Sequence, residues 1–325
     1  MVRIIVLVCV VFSMIFSMGV SHNISLTHSE NERLIALSNL QAKSFVPLRQ
    51  LHSKTLSGEL KLELEKNAQW KKLINSNKMA VGLVIFPMGL GSPQAVWING
   101  NVMMYAASLP KIAVLFATYQ AIENGDLEET PEITELANEM IRYSNNEATN
   151  TLINKIGGLK NVQKYIKNPE YGFYDPKYGG GLWIGKYFNK DTKRYPEPMK
   201  GYTHSATVAQ VCRFYYLIAQ GKLINADRSA QMLDILSNPG LHHKFVNYLE
   251  KKYFVGNIFR KSGTWKIWHA DSVMVWDKNN QPLFIAVGLV ESPNGEAILR
   301  DLIVVMEAFI NRNRVPNGYF VLNGR

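Results

Sequence analysis

Strand-like segments occur towards both ends of this chain and helix-like segments fill its middle, a pattern that few architectures satisfy. Met79 to Phe86 (MAVGLVIF) is an apolar run of buried-strand length, Gly89 to Pro93 is a turn, and Gln94 to Ile98 is a second strand, so a hairpin is expected. Much later, Arg260 to Trp265, Trp268 to Trp276 and Leu283 to Leu289 again read as strands, the last two joined across Asp277-Lys278-Asn279-Asn280. Between these groups, Ile112-Ala113-Val114-Leu115-Phe116-Ala117 is apolar on every side, which predicts a helix over 109–124 that is buried all round. Ser108 reads as its N-cap, Pro110 fits its first turn and Gly125 ends it. Further helices are expected at 131–142, 146–156, 159–166, 206–220 behind a Ser205 cap, and 227–237. A closing helix from Gly295 to Asn311 carries Ile298, Leu302, Val305, Met306 and Phe309 on one face. The economical fold is of the α/β (α+β) class: one antiparallel sheet built from both termini, flanked by helices, with a helical lobe inserted over 112–245.

The chain begins with Arg3, an apolar run from Ile4 to Phe16, and the small-residue stretch Ser17-Met18-Gly19-Val20-Ser21. This is the grammar of a secretory signal peptide over 1–21, with cleavage after Ser21. Export is therefore expected, to the periplasm or the medium, with no stable membrane insertion after removal of the signal. Residues 22–77 read as an N-terminal helical extension, 78–312 as the main domain and 313–325 as a C-terminal tail. Once Cys9 leaves with the signal, Cys212 is the remaining cysteine; among Val211, Phe214 and Tyr215 it reads as a buried apolar residue. Neither a disulfide nor a cysteine metal pair is available, and no cofactor or metal is expected.

The net charge of +10 would suit acidic partners. The lysines are scattered, however, and none of their clusters is interleaved with aromatics, so nucleic acid is not an expected partner. A solvated basic surface on a monomer is the simpler reading. From Asn168 to His204 the composition changes: Pro169, Pro176, Gly179-Gly180-Gly181, Pro196 and Pro198 break regular structure, and Tyr171, Phe173, Tyr174, Trp183, Tyr187 and Tyr195 accompany them. A long loop in a compact domain is usually functional, and these aromatics would pack it as an ordered flap.

Three short motifs occur in order: Ser108-Leu109-Pro110-Lys111, Ser144-Asn145-Asn146 and Lys261-Ser262-Gly263. Each is weak alone; their joint occurrence in fitting local contexts carries the signal. A serine hydroxyl needs a nearby base to become a nucleophile, and helical spacing of three places Lys111 on the face of Ser108. The start of a helix favours developing negative charge at Ser108. Lys111 faces the apolar helix core, so desolvation should lower its pKa toward base work. Ser144, between two helices, could relay a proton, and Asn146 could bind a substrate amide. Lys261 on its strand offers positive charge for a substrate carboxylate, and Gly263 allows close approach of a ligand to the backbone. The N–H groups of Thr264 and Ser108 could together form an oxyanion hole. Trp265 and Trp268 flank this strand, either lining the cleft or packing the core. His242-His243 and His269 lack metal-ligand spacing and read as ordinary hydrogen-bonding histidines.

From Lys78 to Asn311 the chain resembles the penicillin-recognising serine enzymes, class A β-lactamases most of all, in motif order, in the strand–helix–strand layout, in Ala107 before the serine and in the helix after Ser144 (EATNTLINKIGG). The resemblance implies Ser108 as acylated nucleophile, Lys111 as base, Ser144 as proton shuttle, Asn146 as substrate ligand and Lys261-Ser262-Gly263 as the substrate-binding strand. It departs from the family in three ways. The interval from Ser108 to Ser144 is short, so a piece of the helical lobe is missing. Asn145 stands where the family has aspartate. The glutamate that class A enzymes use for deacylation has no counterpart in its proper setting: Glu170, Asp175, Asp191 and Glu197 lie on the loop, and none is followed by the expected asparagine. The expected function is hydrolysis of a β-lactam or related amide through acyl-Ser108. A D-alanyl-D-alanine peptidase or transpeptidase acting on peptidoglycan peptide is the alternative, and a non-catalytic β-lactam or cell-wall binding module the third reading.

Overall fold

The computed structural model describes residues 33–34, 45–89, 91–188 and 192–314. The expected signal segment 1–21, Asp191 and the tail beyond Arg314 lie outside the described residues.

Two helices, α1 (Lys54–Glu65) and α2 (Ala68–Asn75), precede the first strands. Each has a side-chain cap of the expected chemistry: Ser53 accepts from Leu56 N, and Asn67 accepts from Gln69 N and Trp70 N. Strands β1 (Met79–Ile85) and β2 (Gln94–Ile98) form the expected hairpin. After a two-residue strand β3 (Met104–Tyr105) come the lobe helices α3 (Lys111–Glu123), α4 (Pro131–Arg142), α5 (Asn146–Lys155) and α6 (Leu159–Lys167). Short strands β4 (Tyr174–Asp175), β5 (Gly180–Gly181), β6 (Trp183–Ile184) and β7 (His204–Ala206) follow, then α7 (Val208–Ala219), α8 (Ala226–Leu236) and α9 (Phe245–Leu249). The chain returns through β8 (Ile258–Trp265), β9 (Trp268–Trp276) and β10 (Pro282–Glu291) and closes with α10 (Gly295–Asn313).

The main sheet is five-stranded and antiparallel, in the order β2-β1-β10-β9-β8, so strands from both ends of the chain are neighbours in its centre. Both of its faces are covered. Val81, Leu83 and Ile85 of β1 join a core with Leu60, Trp70, Leu302 and Met306, while Ala80 and Val84 join the core of the helical lobe. Burial on both faces is why β1 reads as a continuous apolar run and not as an alternation. Helix α7 crosses the lobe face so closely that a methyl group at Gly82 would lie 2.8 Å from the Cys212 sulfur. Cys212 is fully buried there, and burial pushes its thiol well up, which makes it an inert packing residue.

The structure corrects the sequence reading in three places. Helix α3 starts at Lys111 behind Pro110 without a side-chain cap, so Ser108 is not its N-cap. Ser205 does not cap α7 either: it pairs in β7, and Thr207 accepts from Gln210 N instead. The segment from Asn168 to His204 holds regular structure after all, because β6 and β3 pair with β7 on either side and β4 pairs with β5. These strands are two or three residues long, too short for a period to show, and β3, β6 and β7 owe their pairing to neighbours distant in sequence.

Candidate active site

Ser108 lies in a turn between β3 and α3, where Leu109 N donates to Ala106 O at 3.0 Å and Lys111 N to Ser108 O at 3.2 Å. Ala107 just before it has φ = 50°, a left-handed conformation that costs an alanine about 1 kcal/mol and turns the next residue outward. Ser108 is half-buried and lines a cleft of about 720 Å³. Its N–H meets no acceptor among the described residues, as an oxyanion donor requires.

One turn along, Lys111 is fully buried. Its Nζ donates to the Ser144 carbonyl at 2.6 Å, to Asn146 Oδ1 at 2.9 Å and to the Asn145 carbonyl at 3.3 Å. Desolvation lowers its pKa to about 7, so a large fraction is neutral amine near neutral pH. The segment that receives it is shaped by Asn145, which caps α5 by accepting from Glu147 N and Ala148 N and donates to Glu139 Oε2. The asparagine thus serves the loop, while Ser144, at φ = 60°, turns its hydroxyl the other way.

Lys261 meets that hydroxyl, donating from Nζ to Ser144 Oγ at 2.9 Å and to Ser262 O at the same distance. It is buried, and desolvation together with the charges of Lys111 and Arg260 holds its pKa well below the usual lysine value. Two lysines therefore flank Ser144, one at its carbonyl and one at its hydroxyl. Strand β8 is the edge of the main sheet, which leaves its outer N–H groups facing the Ser108 turn. Thr264 is exposed and lines the cleft; Ser262 is buried and does not. Gly263 is where strand and turn meet, since a methyl group there would lie 2.3 Å from Ala106 O and 2.8 Å from Ser108 N. Gly263→Ala is expected to push β8 off the turn, lowering stability by roughly 1–3 kcal/mol and abolishing most reactivity at Ser108; thermal unfolding and labelling with a fluorescent penicillin check the two effects.

All three motifs thus converge on one cleft. Three further groups beside it had no sequence signal. Lys244, at φ = 54°, is buried and donates to Gly263 O, Thr264 Oγ1 and Ala270 O; desolvation brings its pKa down to about 8. Arg260 and Asp271 form a buried pair, with Arg260 Nε to Oδ1 at 2.8 Å and Nη2 to Oδ2 at 2.9 Å, and Phe245 N also bonds Asp271. Removing one partner of such a pair strands the other: Asp271→Asn should cost about 3 kcal/mol, measured by urea unfolding. The third is Phe188, whose ring centroid lies 4.5 Å from Lys111 Nζ and 4.5 Å from the His204 ring. Phe188 covers Lys111 on the side open to the cleft.

No carboxylate is among the described residues lining the cleft. Glu197 is buried and fully engaged, accepting from Tyr174 OH, Met199 N, Lys200 N and Tyr202 N to hold its own turn. Asp175 caps Lys177 N, and Glu170 is exposed. Trp265 and Trp268 both line the cleft, which settles the two readings left open for them.

A serine turn, a buried lysine at the start of the next helix and an edge strand bearing a second lysine are the arrangement in which the motif set of the penicillin-recognising serine enzymes is set out here. The sequence pattern described as "Beta-lactamase enzyme family" matches residues 128–303, and the chain belongs to that family. Among solved structures, PBP-A aligns with a TM-score of 0.58 at 19% identity, covering 83% of this chain and 100% of that one. A class A β-lactamase representative from Bacteroides cellulosilyticus aligns with a TM-score of 0.57 at 17% identity, covering 78% and 99%. The TLA-3 extended-spectrum β-lactamase aligns with a TM-score of 0.59 at 13% identity, covering 80% and 100%. At such identities these three establish the shared fold. A comparison with curated protein sequences returns no match.

Proposed function

We propose that this protein is an exported serine hydrolase of β-lactamase type that opens a β-lactam or related amide through an acyl-Ser108 intermediate. The observation that carries the reading is the convergence on Ser144, where Lys111 bonds the carbonyl and Lys261 the hydroxyl, together with a Ser108 N–H that meets no acceptor among the described residues. In this reading neutral Lys111 takes the Ser108 proton and Ser108 Oγ attacks the amide carbonyl. The oxyanion rests on the N–H groups of Ser108 and Thr264. Ser144 passes a proton to the leaving nitrogen as the C–N bond breaks, and an ester to Ser108 remains. Asn146 faces the substrate amide. Lys261 and Lys244 concentrate positive charge where a substrate carboxylate would sit. The Arg3 to Ser21 segment supports export.

One observation favours the alternative, a D-alanyl-D-alanine peptidase on peptidoglycan peptide: among the described residues lining the cleft there is no carboxylate to activate the water that would release the acyl group. A solved structure of PBP-A with a leucine-to-glutamate replacement is described as an acyl-enzyme complex with penicillin G, and it shares the fold with a TM-score of 0.58. The experiment is intact-mass spectrometry of the mature protein with benzylpenicillin. A covalent adduct absent from Ser108→Ala is expected; no adduct in the wild type removes the reading. Fast turnover of a chromogenic cephalosporin then selects the lactamase, and release of D-alanine from a stem-peptide mimic selects the peptidase.

A further inference from the structure

The cleft walls differ in chemistry from its floor. Beyond Ser108, Asn146 and Thr264 they are largely aromatic and basic. Tyr105 packs against Trp268 at 5.3 Å between ring centroids and against Tyr202 at 6.3 Å, with the Tyr105 and Trp268 planes inclined by 59°. Two cations, Lys186 and Arg194, stand on the same walls. Arg194 is exposed and has no hydrogen bond or ion pair among the described residues. It sits close to the Tyr105 ring: burial pushes the Tyr105 phenol up, and the Arg194 charge offsets part of that rise. Both are separate from the Lys111, Lys244 and Lys261 group beside Ser144.

We propose that the acyl side of the substrate carries both an aryl group, held against Tyr105 and Trp268, and an anionic group, held by Arg194. This rests on the reading of Ser108 as the acylated residue and deepens it by assigning the acyl-side specificity. The physical reason is that an aromatic wall binds a flat ring through apolar burial and offset or edge contacts. A cation on that wall that has no ion pair among the described residues, as Arg194 has none, rewards a substrate that brings the counter-charge.

Three penicillins that share one nucleus test the assignment: benzyl, α-carboxybenzyl and α-aminobenzyl. The second-order rate of Ser108 acylation is measured for each at low and at moderate salt. The expected order is α-carboxybenzyl, benzyl, α-aminobenzyl, with about fivefold between the first two, the size an exposed ion pair supports. In Arg194→Gln that ratio should collapse to near one, and in Trp268→Ala all three aryl penicillins should slow relative to 6-aminopenicillanic acid. An unchanged ratio in Arg194→Gln, or equal slowing of every probe, overturns the assignment. A second arm needs no acylation: tryptophan fluorescence titration with phenylmalonate and phenylacetate should show tighter binding of the dianion, lost in Arg194→Gln. If no penicillin acylates Ser108 while phenylmalonate still binds preferentially, the proposed chemistry falls and the cleft assignment stands. Equal binding of the two aryl acids removes the assignment.

Discussion

Lys111→Met is expected to slow acylation of Ser108 by about 10²- to 10⁴-fold, the range that a positioned general base contributes. The sign of the pH dependence follows from burial. The working form is the neutral amine, and desolvation places the Lys111 pKa at about 7. Wild-type acylation should therefore rise with pH through that value, level off above it, and fall away below it as the ammonium forms. Oxygens from Ser144, Asn145 and Asn146 surround Nζ and favour the ammonium, so they oppose the desolvation without cancelling it. In Lys111→Met the limb near pH 7 should disappear together with the rate. Stopped-flow acylation with a fluorescent penicillin across pH 5 to 9 (about that span suffices for a group near 7) reads both. A residual rate that keeps the wild-type limb would assign the base to another group.

The second large effect is expected at Phe188. Its ring occupies the side of Lys111 that opens to the cleft, 4.5 Å from Nζ, and its N–H is held by Asn150 Oδ1 at 2.9 Å. Phe188→Glu would put a carboxylate on the one wall beside Lys111 and give attacking water a base. Hydrolysis of the acyl-Ser108 ester should accelerate by about 10²-fold, with Phe188→Gln as the uncharged control that should not accelerate it. The new charge would also favour the ammonium of Lys111 and shift the acylation limb to higher pH. Adduct lifetime, followed by mass spectrometry after removal of free penicillin, measures the first effect. An unchanged lifetime in Phe188→Glu would mean that a missing carboxylate does not limit deacylation.

Much of this architecture was legible in local patterns. The all-round apolar run from Ile112 to Ala117 predicts the central buried helix, because a helix in contact with protein on every side has no polar face to keep. The separation of strand-like ends from a helical middle predicts one sheet closed by both termini, since an edge hairpin such as β1–β2 must bury its second face.

Other features were not legible, for identifiable reasons. Ser108 resembles an N-cap in composition, but the left-handed Ala107 and the following tight turn delay the helix to Lys111 and leave the hydroxyl free for the cleft. Ser205 has cap chemistry too, yet pairing with Tyr105 and Trp183 draws it into a strand. Glu197 has the composition of a candidate base, and only the folded turn shows that its carboxylate is consumed by its own backbone and Tyr174. Lys244 and Arg260 carry no motif; burial beside Asp271 makes them part of the site.

The sequence by itself determined the main strand segments, the buried central helix and three short polar motifs, because each depends on neighbours within a few residues. The tertiary structure alone decided that Lys111 and Lys261 meet at Ser144 and that Phe188 covers Lys111. It also decided that β8 lies against the Ser108 turn with room only for Gly263. The physical reason is distance along the chain: contacts between residues tens to more than a hundred positions apart are set by packing of the whole fold, and no local period records them.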